Sequence, residues 1–392
     1  MRHTNLWMAA MVLALAPLKV HAEIAVSAND GKQLRPGDSV SGPTPDSISV
    51  IDIDRGRVRL LGSVDVPAAM IGPPRSVALT ADSKLAIATA CQSFSGDKLV
   101  PADTVSVIDL SQPSHPKVIQ TLHAGAGASG VSISPNGKLV LVANAEGNSI
   151  SVFSVAGKSL SNAGTIPLGE GTRPTDVLFT PDGKTAIAVA QRASKLIFLS
   201  VSGAQISPTG KAASPGRTPY GAVATHDGKY VINTNLGGAL PAPGVAQEAG
   251  RGMSRAGTIA MTEIASGRTT ASVVVGQTPE HVTLSDDGKY VAVVVANGTA
   301  SVRSDPKFDS VLGLLEIYAV GEGTLTPVTR IDTGHWCQGA VFSKDNRMIL
   351  LQCAAEREIE AFRFDGQSLQ QDKKATLSLT SRPGAIATAS SR

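Results

Sequence analysis

The phrase PTDVLFTPDGKTAIAVA, from Pro174 to Ala190, returns as PYGAVATHDGKYVINTN from Pro219, with the Gly-Lys at the same offset from the proline. Aligning on that turn recovers PRSVALTADSKLAIATA from Pro74, ASGVSISPNGKLVLVAN from Ala128 and PEHVTLSDDGKYVAVVV from Pro279. A degenerate copy, CQGAVFSKDNRMILLQC, starts at Cys337, and PGAIATASSR from Pro383 is the first half of another. Lys84, Lys138, Lys184, Lys229 and Lys289 each fall at the same place after the opening position, and Arg347 does so in the degenerate copy. Inside each copy apolar residues alternate, break at a polar turn and alternate again. That is the period of two antiparallel strands joined by a hairpin. Asp-Gly and Asn-Gly supply the positive φ that tight hairpin turns need.

A second β phrase follows each hairpin: DTVSVIDL at Asp103, NSISVFSV at Asn148, SKLIFLSV at Ser194, GTIAMTEI at Gly257, GLLEIYAV at Gly313 and REIEAFRF at Arg357. A weaker β segment, such as ASVVVG from Ala271, precedes the next proline. The repeating unit is therefore four antiparallel strands, at a period of about 45–60 residues that fits a propeller blade. The C-terminus offers strand one of a further blade. EIAVSAND from Glu23, DSISVIDI from Asp46 and RVRLLGSVDV from Arg57 offer strands two, three and four. The expected fold is an all-β, seven-bladed β-propeller of four-stranded antiparallel blades, its ring closed by N- and C-terminal strands that share one blade. Closure of this kind removes the free sheet edges that template aggregation. Composition agrees: aromatics are only 4%, so Val, Ile, Leu and Ala must build the core, and 39 Gly with 23 Pro suit many short strands and tight turns.

The first residues read as a leader. A short positive start, the apolar LWMAAMVLALAPL and the small-residue VHA predict a signal peptide over 1–22, cleaved after Ala22, with one propeller domain over 23–392. The expected location is periplasmic or secreted, and no later stretch is apolar enough to span a bilayer. Loss of Arg2 and Lys19, two positive charges, lowers the formal charge from +3 to +1. So balanced a chain gives no reason to expect nucleic-acid binding.

SPNGKLVLVAN from Ser134 to Asn144, with NSISVFSV behind it, resembles the YVTN repeat of the lactonase-like seven-bladed propellers, and the other copies are similar more loosely. There is no Trp-Asp dipeptide of the WD40 kind. The resemblance implies lactone hydrolases, carboxymuconate-type cycloisomerases or exported binding and structural proteins. Lactonase members carry a His-rich start to an inner strand and an Asn-Glu after strand two. Here TPEH at Thr278, with His281, is the only match to the first, and VANG at Val295 has no glutamate. The expectation is an exported propeller that binds a small anionic molecule or another periplasmic protein, or acts as a scaffold. The alternative is a lactone hydrolase or cycloisomerase on the same scaffold.

Antiparallel connectivity puts the short DGK hairpins on one face of the ring. The long loops lie on the other: Asn29 to Pro45, Gln92 to Ala102, Leu236 to Ala256, with Gly237 to Gly257 as a candidate lid, and Asn297 to Leu312. Binding sites usually sit on such loops. Residues at the start of strand one should ring the channel mouth on that face. The candidate ligand-binding residues are Arg75, Arg173, Arg217, Tyr220, Glu280, Trp336, Gln338 and Arg382, with Ser129 and Asp176 beside them and Arg251, Arg255 and Arg303 leaning in from the loops. Arginines suit a carboxylate or phosphate because the guanidinium fork matches those groups. His281 and His335 are the candidate proton-transfer residues. No metal-ligand spacing is present and no cofactor is expected. Of three cysteines, Cys337 and Cys353 meet at the same end of the sixth hairpin and are the candidate disulfide, with buried thiols as the alternative reading.

Overall fold

A computed structural model describes residues 23–389 apart from 39, 55, 71–74, 96–97, 238–255 and 301. The leader call, the candidate lid, Arg251 and Arg255 lie outside the described residues. Seven sheets form. Blade 1 comprises Val77–Leu79, Leu85–Ser95, Lys98–Asp109 and Lys117–His123; blade 2, Ala128–Ile133, Leu139–Asn144, Ser149–Ala156 and Ser159–Pro167; blade 3, Pro174–Phe179, Thr185–Ala190, Lys195–Ser202 and Gln205–Ala213. Blade 4 comprises Pro219–Ala224, Tyr230–Asn235, Ala256–Glu263 and Thr269–Gln277; blade 5, Pro279–Leu284, Tyr290–Val295, Gly313–Gly321 and Thr324–Thr333. Blade 6 comprises Cys337–Phe342, Met348–Cys353 and Glu358–Phe364, whose outer edge pairs with both Leu369–Gln371 and Leu377–Ser378. Blade 7 is built from both chain ends, in the order Arg382–Thr388, Glu23–Asp30, Ser47–Asp54 and Arg57–Asp65.

The closing register pairs Ala25 with Thr388, Ser27 with Ile386 and Ala28 with Ala385, antiparallel. The C-terminal strand therefore stands beside the strand Glu23–Asp30, as the half-copies require. The innermost strands touch their neighbours all the way round the ring.

Alternation along the strands splits each blade between two interfaces. Leu139, Leu141 and Ala143 pack against blade 3, while Val140 and Val142, the residues between them, pack against blade 1. One apolar cluster fills each of the seven blade junctions. Burial of aliphatic faces on both sides of every sheet is the main stabilising term of the ring.

Six hairpins share a device beyond the Asp-Gly turn. A Ser or Thr two residues before the turn Asp or Asn bonds it at 2.6–2.7 Å: Thr80 to Asp82, Ser134 to Asn136, Thr180 to Asp182, Thr225 to Asp227, Ser285 to Asp287 and Ser343 to Asp345. The same acceptor oxygen takes the backbone N–H of the turn Lys or Arg, as at Lys184. The hydroxyl oxygen accepts the first N–H of strand two, as at Thr185. Thr180→Ala should therefore cost about 1 kcal/mol in urea unfolding, more than a typical exposed substitution. An unchanged midpoint would show the turn hydroxyl to be dispensable.

At the other end of the hairpin, three blades use an asparagine. Asn29, Asn144 and Asn235 end strand two and donate to strand-three hydroxyls, Asn144 Nδ2 reaching Ser149 Oγ at 2.9 Å and Ser151 Oγ at 3.0 Å. In blade 6 that position is Cys353. It lies opposite Cys337 in the register and the two are disulfide-bonded. The bridge replaces the asparagine clamp in a blade whose turn carries Asn346 in place of glycine, as blade 1 carries Ser83. It closes a 16-residue separation, so Cys337→Ser with Cys353→Ser should lower stability by about 3 kcal/mol on the chain-entropy account. Equal denaturation midpoints for oxidised and reduced protein would contradict this.

One expected loop is ordered differently. Gln92 to Ala102 does not form a long irregular loop: Gln92 pairs with Pro101 and Ser95 with Lys98, extending the sheet of blade 1 beyond the ring. The alternation of Ser93, Phe94 and Ser95 against Lys98, Leu99 and Val100 carries the period-2 pattern through this stretch.

Candidate ligand site

Strand one begins the same way in blade after blade. The residue before it has a positive φ: Gly127 (75°), Arg173 (46°), Thr218 (52°), Thr278 (56°) and Trp336 (51°). The second or third residue of the strand is then a bulge, with the register slipping between Ala128 and Val131, Pro174 and Asp176, Pro219 and Ala222, Pro279 and His281, and Cys337 and Ala340. Bulges re-aim side chains. Aligned by the repeat, the third position reads Ser76, Gly130, Asp176, Gly221, His281, Gly339 and Gly384. This is the narrow layer of the channel: a Cβ on Gly130 would lie 2.5 Å from Asp176 Oδ1, and one on Gly339 2.6 Å from Gln352 Oε1. At Gly130 and Gly339 neighbouring atoms occupy the space a Cβ would take, and Asp176 and His281 are the two large side chains in the layer.

Arg75, one position earlier in blade 1, reaches across the channel. Its Nη1 donates to the Ala222 carbonyl of blade 4 at 2.7 Å, and its Nε lies 3.3 Å from Asp176 Oδ2 of blade 3. Asp176 also accepts the N–H groups of Val177 (2.8 Å) and Ala222 (3.1 Å). Burial pushes its carboxyl up to about 6, against the opposing pull of Arg75 and the two amides. His281 is buried, with Nδ1 lacking a hydrogen-bond partner among the described residues. Burial first, and the charge of Arg75 second, push it down to about 3 against a hydrogen bond to the Ala340 backbone, so its ring is neutral at pH 7. Glu280 is hydrogen-bonded to Gln338, and burial raises its carboxyl to about 8.

Below this layer the channel opens into a cavity of about 1070 Å³. Arg75 and His281 stand at its inner end. Its wall includes Ala78, Ser132, Val223, Thr283 and Val341, and the hairpin residues Asp82, Lys84, His226, Asp286 and Lys344 rim its outlet. The large cavity thus opens on the hairpin face, not on the long-loop face where sequence reasoning placed the site. Only Arg75 and His281 of the expected site residues line it.

The other expected residues fall into three groups. Arg173 and Tyr220 line a crevice of about 50 Å³ on the long-loop face with Cys91, the third cysteine, whose thiol burial pushes up to about 12. Arg173 there donates to Glu146 (3.2 Å) and Gln191 (2.6 Å). Glu280 and Gln338 are bonded to each other within the wall, and Arg217 is exposed on the surface. Trp336, Arg382 and His335 are covered. Arg35 lies 4.4 Å over the Trp336 ring and Arg382 5.8 Å over it. His335 is bonded through both ring nitrogens, Nδ1 to Glu356 at 2.6 Å and Nε2 to the Phe308 carbonyl at 2.8 Å, and stacks on Phe308 at 3.8 Å. Both ring nitrogens are thus engaged, and the side chain braces the loop at Phe308. Arg303 donates to the Ala355 carbonyl at 2.9 Å.

Among the described residues no group of His, Cys, Asp and Glu is arranged to hold a metal ion, and no helix is long and apolar enough to cross a membrane. Sequence reasoning missed the rim residues Lys84, His226 and Lys344 and the partnership of Arg75 with Ala222. The column of glycines at the third position was the available signal, because small residues in register mark where the ring is tightest.

Residues 103–215 match the family model described as lactonase, 7-bladed β-propeller. Among solved structures, a candidate 6-phosphogluconolactonase from Bacteroides fragilis is 20% identical, with a TM-score of 0.66 over 95% of this chain and 99% of that one. One from Bacteroides uniformis is 17% identical, with a TM-score of 0.67 over 94% and 99%. A hypothetical selenium-binding protein from Sulfolobus tokodaii is 11% identical, with a TM-score of 0.64 over 94% of each chain. At these identities the likeness is one of fold. No curated protein matches the sequence.

Proposed function

Starting from a lactonase-like seven-bladed β-propeller, we propose that the protein binds a small anionic molecule inside its central channel, entered from the hairpin face, with Arg75 as the anchor for the anion. The observation that carries this reading is the coincidence of a cavity of about 1070 Å³ with a guanidinium at its inner end whose side chain keeps 24% of its surface exposed. A concave, largely preformed cavity with few convergent polar groups is the usual form of a small-molecule site. The polar side chains of the lining gather at the hairpin rim, while the strand-one residues between that rim and Arg75 are mainly apolar, with Ser132, Thr283 and Thr388 the hydroxyls among them, and this favours an anion with a compact, mainly apolar body. Export to the periplasm or the cell exterior accords with the leader over 1–22 and with the Cys337–Cys353 bridge, which needs an oxidising compartment.

A lactone hydrolase or cycloisomerase is the second reading, favoured by His281 standing beside Arg75 at the cavity end and by the family match. It ranks second because a base at about 3 with a buried Nδ1 has little driving force to take a proton at neutral pH. The test is a thermal-shift and calorimetric screen of the mature protein against small aromatic and aliphatic carboxylates, sugar acids and their lactones. Binding of a carboxylate that is lost in Ala78→Phe, which fills the channel, supports the proposal. Turnover of any lactone that His281→Gln abolishes would replace it with the second reading. Binding undisturbed by Ala78→Phe would refute the channel as the site.

A further inference from the structure

The long-loop face carries a second arrangement that the channel reading does not use. The loop between the second and third strands of the closing blade runs from Gly31 to Asp46, and its residues reach blade 6. Its Asp38 carboxylate meets two buried arginines: Arg382, 1% exposed, whose Nη2 donates to Asp38 Oδ2, and Arg357, 4% exposed, whose Nη2 lies 3.8 Å from the same oxygen. That Nη2 has no hydrogen-bond partner among the described residues. The remaining guanidinium bonds go to backbone carbonyls, Arg382 to Ala354 and Gln33 and Arg357 to Thr380, which fix both forks without neutralising them. A third arginine, Arg35, is held in the same loop by its bond to the Ala300 carbonyl and its stacking on Trp336, and its backbone N–H also donates to Asp38 at 2.9 Å. Burial and the charge of Arg382 lower the pKa of both Arg35 and Arg357, a sign of cations crowded together.

One carboxylate in contact thus serves two buried guanidiniums, with the charge of Asp30 acting on Arg357 from farther away, and leaves a donor unused. A dianion with several oxygens would engage both arginines and use that donor, which a single carboxylate at 3.8 Å does not. We propose that Arg357 and Arg382 form an oxyanion site for a phosphate-type dianion on the long-loop face, and that Asp38 is an internal stand-in for the ligand which must leave for the site to fill. The site is distinct from the channel and does not depend on what the channel binds.

The probe is inorganic phosphate, titrated by calorimetry and thermal shift at pH 7.5 against chloride of matched ionic strength. Asp38→Asn removes the competing charge, and the apparent affinity rises as the competent fraction rises. Phosphate should bind Asp38→Asn at least tenfold more tightly than wild type and raise its melting temperature where chloride does not. Asp38→Asn combined with Arg357→Gln should lose that gain. If Asp38→Asn alone fails to fold, phosphate in the refolding buffer should restore it. Equal phosphate affinity in wild type and Asp38→Asn, a gain that survives Arg357→Gln, or a misfolded Asp38→Asn that phosphate does not recover would each overturn the proposal.

Discussion

Replacing Glu280 by Gln should stabilise the protein at pH 8 by roughly 3–5 kcal/mol and leave it within about 1 kcal/mol of wild type at pH 5. Glu280 is 8% exposed, and burial raises its carboxyl from 4.5 to about 8, opposed only by the bond to Gln338. A raised carboxyl pKa means that the folded state holds a proton the unfolded chain releases. Its contribution is therefore fully present below pH 4.5 and is lost as the pH climbs towards 8. Glutamine keeps the shape and the hydrogen bond to Gln338 without a group that must stay protonated. Urea unfolding of both proteins at pH 5 and pH 8 measures the difference. A gain of equal size at both values, or a loss at pH 8, would show that Glu280 is ionised in the fold and held there by partners other than Gln338.

Arg75→Met should cost 3–5 kcal/mol, because it strands the Asp176 carboxylate in the narrow layer without a counter-charge; removing one partner of a buried pair typically costs about that much. Asp176 has no exposed surface, and its remaining bonds are to the Val177 and Ala222 amides. Arg75→Met with Asp176→Asn should recover most of the loss, since an asparagine side chain is far cheaper to bury than an unpaired carboxylate. The cycle separates the ion pair from the span that Arg75 makes to the Ala222 carbonyl. If the double variant is as unstable as Arg75→Met alone, that span across the channel is what holds the ring at this level.

The repeats made the ring legible from sequence. A fixed offset between the opening residue and the turn lysine gave the hairpins, and the half-copies at the two ends gave the closure that the pairing of Ala25 with Thr388 realises. Cys337 and Cys353 were legible for the same reason, since register follows from the hairpin. The site was not. Arg75 stands before the first strand of blade 1, where no strand register fixes its direction, and in blades 2 to 6 a bulge at the start of strand one shifts the alternation by one residue. Glu280 and Gln338, expected at an open mouth, are instead in the wall. Loop length also misled: the long loop at Asn29 to Pro45 covers Trp336 and Arg382 where a ligand was expected, while the short hairpins frame the wide end of the channel. The pairing of Asp38 with Arg357 and Arg382 brings together residues more than three hundred positions apart, and no local pattern announces it.

The central claim is that the channel, entered past Lys84 and Lys344, holds an anion at Arg75. A crystal of residues 23–392 soaked with benzoate tests it most directly. The account predicts a carboxylate in hydrogen-bond contact with the Arg75 guanidinium and a ring lying along Ala78, Val223 and Val341. Benzoate bound at the Arg173 and Tyr220 crevice with the channel holding only water would contradict it.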